Sequence, residues 1–379
     1  MDAPTRILIA MSDTGGGHRA MSSALAGSLY RQFGDRVDVR IEDVFVLPPH
    51  TLFERSTRLY GDIIRLAPWL WGWMYHAIDH PVRYRIFGLM QIETREKMAR
   101  RFDQVRPDVI ISTHPLANKP LLDAIDSLNR DIPVLASVSE LVTVHTSWVE
   151  PRLRLLNTAT SESYQSVLRW GADPERVRCV GLPVDERFGA VTTPTKELRV
   201  AMGLDPHRFT VLLIGGGEGA GGLAAIVQAL QPTGLPVQVI VVCGRNVALK
   251  ARLEKARLRT PAFICGFVKT IPELMHAADV VVTKGGPQTI GEALVAGRPI
   301  ILTETLPGQE EGNGIFVESR GVGFRPGTTD QIVANIERLV LNPAERHWMT
   351  VNAERHGRSQ AAAQVAEMTM NLAGVGAWR

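Results

Sequence analysis

A histidine and an aspartate on either side of a run of glycines form the first group in the chain that could do chemistry. Gly15, Gly16 and Gly17 follow an apolar run that predicts a buried strand, and His18 opens a stretch with helical spacing. This order places backbone N–H groups at the carboxyl edge of a sheet, where anions bind. An imidazole titrates near neutral pH, so we predict His18 as a general base that Asp13 orients.

A second glycine-rich segment, residues 215–222, follows a predicted strand in the second half of the chain. Glycines at such a turn let backbone approach a phosphate closely, and we predict this role for Gly216 and Gly217. A flexible turn between a strand and a helix is the alternative.

A third segment, residues 284–293, puts Pro287 and Thr289 at a predicted helix start and Glu292 one turn inside the helix. The first amides of the helix and the Thr289 hydroxyl are suited to a diphosphate, and a carboxylate is suited to the hydroxyls of a ribose. The three-residue spacing of Thr289 and Glu292 is also that of a capping box, which is the structural alternative.

Gln309 and Glu310 follow another predicted strand and open a further helix. An amide beside a carboxylate at the carboxyl edge of a sheet is suited to the hydroxyls of a sugar. A solvated helix start is the alternative.

The region around residues 48–80 interrupts the alternation of strands and helices with a cluster of large aromatic side chains and flanking arginines. Such residues favour the boundary between membrane and water, with arginine drawn to anionic headgroups. A buried helical hairpin is the alternative. A loop in the same half carries His145, for which we weigh a place facing the site against an ordinary surface position. The aromatic candidates for lipid or acceptor contact are Trp69, Trp71, Trp73, Tyr75 and Trp148.

The amino-acid composition restricts the class of protein and the partners that these motifs can serve. The 379 residues are 45% hydrophobic and 21% charged, which indicates globular domains with sizeable cores. A net charge of +3 is too small for a dedicated nucleic-acid-binding protein, and we expect no nucleic-acid partner. Cys179, Cys243 and Cys265 lie far apart and suggest reduced thiols rather than a metal site. We expect no secretory signal and no membrane span.

Strands and helices alternate twice along the chain, with a glycine-rich turn after the first strand of each half. This pattern predicts an α/β protein with two doubly wound, Rossmann-like domains and a cleft between them. We expect an N-terminal domain over 1–184, a polar linker over 185–197 and a second domain over 198–357. The last helix, within 358–379, is expected to pack back toward the N-terminal domain.

Several of these motifs resemble one family. The segment MSDTGGGHRA (residues 11–20) is similar to the opening of the monogalactosyldiacylglycerol synthases and processive diacylglycerol glucosyltransferases. Residues 266–313, with KGGPQTIGEAL and PGQEEGN, resemble the nucleotide-sugar half of that family. The resemblance covers nearly the whole chain and implies the GT-B fold, which the peptidoglycan N-acetylglucosaminyltransferases share. Gln288 departs from the pattern, because the family usually has glycine there.

The resemblance implies an inverting transfer of a hexose, galactose or glucose, from a UDP-sugar to 1,2-diacylglycerol, with no metal and no cofactor. It makes UDP-sugar, diacylglycerol and an anionic membrane surface the expected partners. It also assigns roles to matching positions, with Phe267 and Val268 at the uracil and Glu292 at the ribose. The positions implied for the diphosphate and for the sugar are Gly16, Gly17, Gly286, Pro287, Gln288, Thr289, Gln309 and Glu310.

Other functions stay open for the same fold. These are an N-acetylglucosaminyltransferase acting on another lipid acceptor, a UDP-N-acetylglucosamine 2-epimerase and a non-catalytic binding module. An epimerase needs no lipid surface, so the tryptophan cluster disfavours it, and His18 with Asp13 disfavours a binding module. We expect the protein in the cytoplasm, bound peripherally to the cytoplasmic face of a membrane.

Overall fold

Two compact α/β units make up the computed structural model of the protein. The residues that the structure describes are 3–13, 16–46, 69–70, 72–73, 79, 92–217, 219 and 221–374. The first unit comprises described residues within Met1–Asp185, Leu306–Gln309 and Gln360–Arg379. The second comprises those within Glu186–Thr305 and Glu310–Ser359.

The sheet of the first unit is parallel throughout and has the strand order β2-β1-β3-β4-β5-β6. Its strands are Thr5–Met11 (β1), Val37–Asp43 (β2), Val109–Ser112 (β3), Val134–Ser137 (β4), Leu155–Asn157 (β5) and Val177–Arg178 (β6). The alternating, charged sequence of β2 predicts an edge strand, and this is confirmed. The continuous apolar runs of β3 and β4 belong to strands covered on both faces.

The second sheet is also parallel throughout, in the order β12-β11-β10-β7-β8-β9. Its strands are Phe209–Ile214 (β7), Val237–Val242 (β8), Ala262–Cys265 (β9), Val280–Thr283 (β10), Ile300–Leu302 (β11) and Gly323–Phe324 (β12). Two-residue β12 was not anticipated, because a strand of that length carries no periodic pattern. The predicted pair of doubly wound sheets is confirmed.

Helices cover both sheets. In the first unit they are Gly16–Phe33 (α1), Ile92–Val105 (α2), Asn118–Ser127 (α3), Ser161–Arg169 (α4) and, numbered last, Ala361–Leu372 (α14). In the second they are Arg187–Ala190 (α5), Thr195–Ala201 (α6), Leu223–Leu230 (α7), Val247–Lys255 (α8), Ile271–Ala277 (α9), Pro287–Val295 (α10), Glu311–Ser319 (α11), Thr329–Leu341 (α12) and Pro343–His356 (α13). Helix α14 packs on α1, where the Gln32 amide donates to the Ala363 carbonyl over 3.2 Å.

Two local expectations are corrected. The polar stretch 185–197, predicted as a linker, contains all of α5 and the start of α6. Phe188 of α5 is buried, and its carbonyl contacts Nε2 of His276 at 2.7 Å, so α5 packs onto the second unit. The sequence predicts Ser161 as the cap of a helix that runs to about Trp170. Thr160 caps this helix, α4, instead, because the Thr160 hydroxyl accepts from the Ser163 amide.

Each sheet has a point where the strand order reverses direction. In the first unit it lies between β1 and β3, and in the second between β7 and β10. Loops leaving neighbouring strands in opposite directions separate at such a point, which leaves a crevice at the carboxyl edge where ligands bind. His18 follows β1, and residues 215–217 follow β7. In the described part of the chain no helix is long and apolar enough to cross a membrane.

Candidate functional site

His18 lies at the reversal point of the first sheet. Helix α1 begins at Gly16, so Gly16, Gly17 and His18 occupy its first turn. Nδ1 of His18 lies 2.7 Å from the carbonyl oxygen of Thr113, which directly follows β3. Thr113 is itself fixed, since its amide donates to the Ala10 carbonyl over 2.9 Å. The first turn of α1, which follows β1, and the residue directly after β3 are therefore joined at the crevice.

The Thr113 carbonyl sets the tautomer of His18. A carbonyl oxygen only accepts, so Nδ1 carries the proton and Nε2 of the neutral ring keeps its lone pair. Burial lowers the pKa of His18 below its usual value, against an opposing effect of the hydrogen bond to Thr113. A neutral imidazole with a basic Nε2 is what a general base at neutral pH requires.

Helix α1 reinforces this arrangement through Ser22. Ser22 follows His18 by four residues and therefore lies on the same face of the helix. Its hydroxyl lies 3.0 Å from the Thr113 hydroxyl, and both residues are fully buried. One helix face thus holds the imidazole and the group that fixes its hydrogen-bond partner.

The expectation that Asp13 orients His18 is corrected by the structure. The Asp13 carboxylate pairs with the Arg19 guanidinium, with nitrogen–oxygen distances of 2.9 and 2.8 Å. The guanidinium of Arg19 points back to Asp13, just after β1, whereas the ring of His18 points to Thr113, just after β3. A backbone carbonyl therefore takes the orienting role that the sequence assigned to a carboxylate.

His114 was missed by sequence reasoning. Its ring centroid lies 4.7 Å from that of His18, and the ring of Phe45 meets it edge-on at 5.4 Å. Nδ1 of His114 is buried and has no hydrogen-bond partner among the described residues. Burial lowers the pKa of His114 well below its usual value, and the neighbouring His18 lowers it further. His114 is thus a neutral aromatic ring that packs against the candidate base, His18.

His145 and Trp148 are buried, so the ordinary surface position weighed for His145 is wrong, and Trp148 does not lie on an exposed surface that could contact lipid. Nδ1 of His145 accepts from the Ser147 amide over 3.1 Å and caps the short 3-10 helix Thr146–Trp148. Nε2 of the same ring lies 3.7 Å from the Asp79 carboxylate, which also accepts from the Thr146 amide. Trp148 has no exposed surface and lies in the core of the first unit.

Trp69 and Trp73 are the described aromatic residues of the predicted membrane-contact region. Both are helical, and their side chains are 71% and 68% exposed. Gly72, between them, packs closely on the segment Leu306–Gln309, because a methyl carbon at Gly72 would lie 2.9 Å from Cβ of Pro307. Trp71 and Tyr75 lie outside the described residues. The exposed pair disfavours the buried-hairpin alternative for Trp69 and Trp73.

The reversal point of the second sheet gathers glycines and a lysine. Gly216 has a φ of 68°, a conformation that favours glycine. A methyl carbon there would lie 3.6 Å from Cε of Lys284, and one at Gly286 would lie 3.7 Å from the same atom. Lys284 has no ion-pair or hydrogen-bond partner within the part of the chain that the structure describes. Lys284 begins the segment of residues 284–293, but no signal in the sequence assigns it a role.

Helix α10 begins as the sequence predicts, at Pro287, with Glu292 one turn inside. The N-cap is Gly286, which has no side chain to cap with, and Thr289 is the third helical residue. The capping-box alternative for Thr289 and Glu292 is therefore wrong. The first amides of α10 point to the carboxyl edge of β10, the geometry that binds anions. Gln288 is buried in this turn.

Glu310 and Gln309 differ in exposure. Glu310 is 7% exposed and forms the N-cap of α11, so a solvated helix start does not describe it. Its carboxylate oxygen Oε1 would lie 3.8 Å from a methyl carbon at Gly286, which places it next to the α10 turn. Gln309 is half-buried and belongs to the segment that packs on Gly72.

Phe267 and Val268 follow β9, at the far side of the second sheet from β10. The Phe267 ring is 63% exposed, and the guanidinium carbon of Arg245 lies 5.8 Å from its centre. An exposed aromatic face beside a cation is suited to a flat, polar ring. Within the described ranges, no three His, Cys, Asp or Glu side chains are grouped as ligands for a metal ion.

Two Rossmann-like α/β units define the GT-B class. In this chain an imidazole lies at the reversal point of one sheet, and glycine loops with a lysine lie at the reversal point of the other. Solved structures with this fold include MurG of Acinetobacter baumannii (TM-score 0.63, 17% identity, covering 97% of this chain and 100% of that chain). A UDP-GlcNAc 2-epimerase of Neisseria meningitidis has it too (TM-score 0.62, 13% identity, 97% and 100%). Fold alone therefore does not separate transferase from epimerase.

Comparison of sequences does separate the transferase from the epimerase. Residues 18–184 match the monogalactosyldiacylglycerol (MGDG) synthase family, and residues 210–312 match the C-terminal domain of glycosyltransferase family 28. The chloroplastic MGDG synthase of Spinacia oleracea is 33% identical over 96% of this chain and 72% of its own length. MGDG synthase 1 of Arabidopsis thaliana is 31% identical over 96% and 70%. The chain belongs to the MGDG synthase family.

Proposed function

We propose that the protein transfers galactose from UDP-galactose to the free hydroxyl of 1,2-diacylglycerol, with inversion at the anomeric carbon. Family membership over nearly the whole chain supports the donor and acceptor classes. The observation that carries the chemistry is the contact between Nδ1 of His18 and the Thr113 carbonyl, because it leaves Nε2 basic.

The transfer is a single displacement. Nε2 of His18 takes the proton of the acceptor hydroxyl as that oxygen forms a bond to the anomeric carbon. The bond from the anomeric carbon to the diphosphate oxygen breaks, and UDP leaves with the electron pair. The neutral state of His18, favoured by its lowered pKa, keeps the lone pair available for this step.

The leaving diphosphate gains negative charge as the bond breaks, and the second unit is suited to stabilise it. The ammonium of Lys284, which has no partner among the described residues, lies beside Gly216 and Gly286. The first amides of α10 add the positive end of a helix dipole. We propose that these groups stabilise the diphosphate without a metal ion or an organic cofactor.

Membrane association is part of the proposal. The exposed side chains of Trp69 and Trp73 favour insertion at the boundary between lipid and water, where diacylglycerol is found. We place the protein peripherally on the cytoplasmic face of a membrane with an anionic surface.

One assay tests donor and acceptor together. UDP-galactose, UDP-glucose and UDP-N-acetylglucosamine are offered separately with diacylglycerol vesicles, and the products are identified by mass. We expect a monohexosyl lipid chiefly from UDP-galactose, at a rate that EDTA leaves unchanged. A preference for UDP-glucose would correct the hexose, and a loss of rate with EDTA would correct the metal-free step. A free UDP-sugar epimerised without any lipid product would overturn the whole proposal.

A further inference from the structure

Four loops leave the carboxyl edge of the second sheet in a fixed spatial order. The neighbouring strands β10, β7, β8 and β9 lead respectively into Lys284, Gly216–Gly217, Arg245 and Phe267. Neighbouring strands lie about 4.8 Å apart, so these loops follow one another along roughly 14 Å of the sheet edge. The edge of the sheet therefore carries, in this order, the cation of Lys284, the glycine loop, the cation of Arg245 and the exposed ring of Phe267.

A backbone hydrogen bond fixes the position of Arg245 along this edge of the sheet. Its amide donates to the Gly217 carbonyl over 2.7 Å. A methyl carbon at Gly244 would clash with the same carbonyl oxygen, so the turn after β8 packs directly on the glycine loop after β7. The Arg245 side chain is exposed at the edge of the sheet, but the backbone that carries it is fixed by this hydrogen bond.

The guanidinium of Arg245 spans the gap between the glycine loop and the aromatic ring. One terminal nitrogen would lie 3.2 Å from a methyl carbon at Gly217, and the guanidinium carbon lies 5.8 Å from the centre of the Phe267 ring. Lys284 lies on the opposite side of the loop, beside Gly216. Two cations thus flank one glycine turn, and only Arg245 is also next to the aromatic ring.

We propose that Arg245 binds the phosphate nearest the nucleoside, while Lys284 binds the distal phosphate that bears the sugar. The assignment rests on the proposed function and deepens it. A planar guanidinium suits a phosphate with two parallel hydrogen bonds and can at the same time lie over an aromatic face. Arg245 is therefore the residue that distinguishes a nucleotide from a nucleoside at this site.

The test is a series of ligands of increasing length. Uridine, UMP and UDP are titrated by calorimetry against the wild type, Arg245→Ala, Arg245→Lys and Lys284→Ala. Arg252→Ala serves as the matched control, since it removes an exposed arginine of helix α8. Thermal melting of each variant shows that it is folded.

In the wild type we expect UMP to bind about tenfold or more tightly than uridine, the scale of one charge-assisted hydrogen bond. Arg245→Ala removes that gain and leaves uridine affinity unchanged, and Arg245→Lys restores part of it. Lys284→Ala keeps the gain from uridine to UMP and loses the further gain to UDP.

Other results overturn the proposal. If Arg245→Ala weakens the binding of uridine, UMP and UDP equally, Arg245 acts only through the aromatic ring of Phe267. If the gain in affinity from uridine to UMP survives in Arg245→Ala, Arg245 contacts no phosphate. Either result leaves the proposed function intact. A wild type that binds none of the three ligands overturns the proposed function together with this inference.

Discussion

At the scale of single residues, the candidate base depends on a backbone carbonyl rather than on a carboxylate. The Thr113 carbonyl fixes the tautomer of His18, and burial lowers the pKa of the ring. The sequence brings Asp13 close to His18 along the chain, but the guanidinium of Arg19 occupies that carboxylate. Spacing along the chain therefore pointed to the candidate base but not to its hydrogen-bond partner.

Replacing His18 separates catalysis from binding. We expect His18→Ala to lower kcat by about 10²–10⁴-fold, the usual contribution of a proton-transfer group, while the Kd of UDP changes little. In the wild type, kcat/KM falls as the pH falls through the pKa of His18. Because burial lowers that pKa, the loss of activity occurs below the usual value of 6.5 for histidine.

Asp13→Ala is the matched control. It removes the exposed ion pair between Asp13 and Arg19, so we expect turnover to fall by less than about fivefold, with the same pH profile. Steady-state kinetics of both variants over a pH series make the comparison. Near-normal turnover of His18→Ala, or a large loss in Asp13→Ala, would contradict the assignment.

At the scale of elements, the helical residues Trp69–Leu70 and Gly72–Trp73 are linked to a segment that follows β11. Gly72 packs on Pro307, two residues before Gln309, which the family resemblance implies for the sugar. The absence of a Cβ at Gly72 is what permits this approach. One packing contact therefore links the helical residues beside the exposed tryptophans to the segment that carries a candidate sugar-binding residue.

Gly72→Ala tests that contact. The added methyl would lie 2.9 Å from Cβ of Pro307, so the segment Leu306–Gln309 must shift, at a cost of about 1–3 kcal/mol. We expect the KM for the UDP-sugar to rise on the order of tenfold, while the Kd of UDP alone is unchanged.

Gly27→Ala in helix α1 provides the comparison. The atoms nearest to a methyl there belong to the flexible end of Arg31, and alanine favours the helix, so the kinetics of this variant should match the wild type. Equal KM values for Gly72→Ala and Gly27→Ala would show that the packing contact does not matter for the sugar.

At the scale of the whole molecule, the net charge of +3 is mild, so the proposed membrane binding must depend on local features. Trp69 and Trp73 are the described candidates, since each exposes more than two thirds of its side chain. Trp348, on α13 in the second unit, is 55% exposed and offers a control of the same residue type.

Cosedimentation with liposomes tests membrane binding. The double variant Trp69→Ala/Trp73→Ala is expected to bind anionic liposomes about tenfold or more weakly, because each buried aromatic side chain contributes roughly 1.5–3 kcal/mol. Trp348→Ala should bind as the wild type does. Neutral liposomes in a parallel series separate the contribution of the anionic headgroups. Equal binding of the double variant and the wild type would remove the tryptophans from the membrane contact.

Much of the candidate site could be predicted because its signals are local. The glycine segments, the start of α10 at Pro287 and the edge position of β2 all follow from short-range spacing. His114 was missed because a lone histidine after a strand carries no signal in the sequence. Trp148 was misplaced because an aromatic residue in a loop looks the same in the sequence whether it is buried or exposed.

The sequence by itself determined two parallel α/β units, the glycine turns at their carboxyl edges and His18 as the candidate base, because hydrophobic period and turn chemistry are local properties. Only the tertiary structure decided which strands are neighbours. That order sets the Thr113 carbonyl against His18 instead of Asp13, puts His114 beside the base and aligns Lys284 and Arg245 on either side of Gly216–Gly217. The physical reason is that parallel strands distant in sequence meet at one sheet edge, and no spacing along the chain records which of them are adjacent.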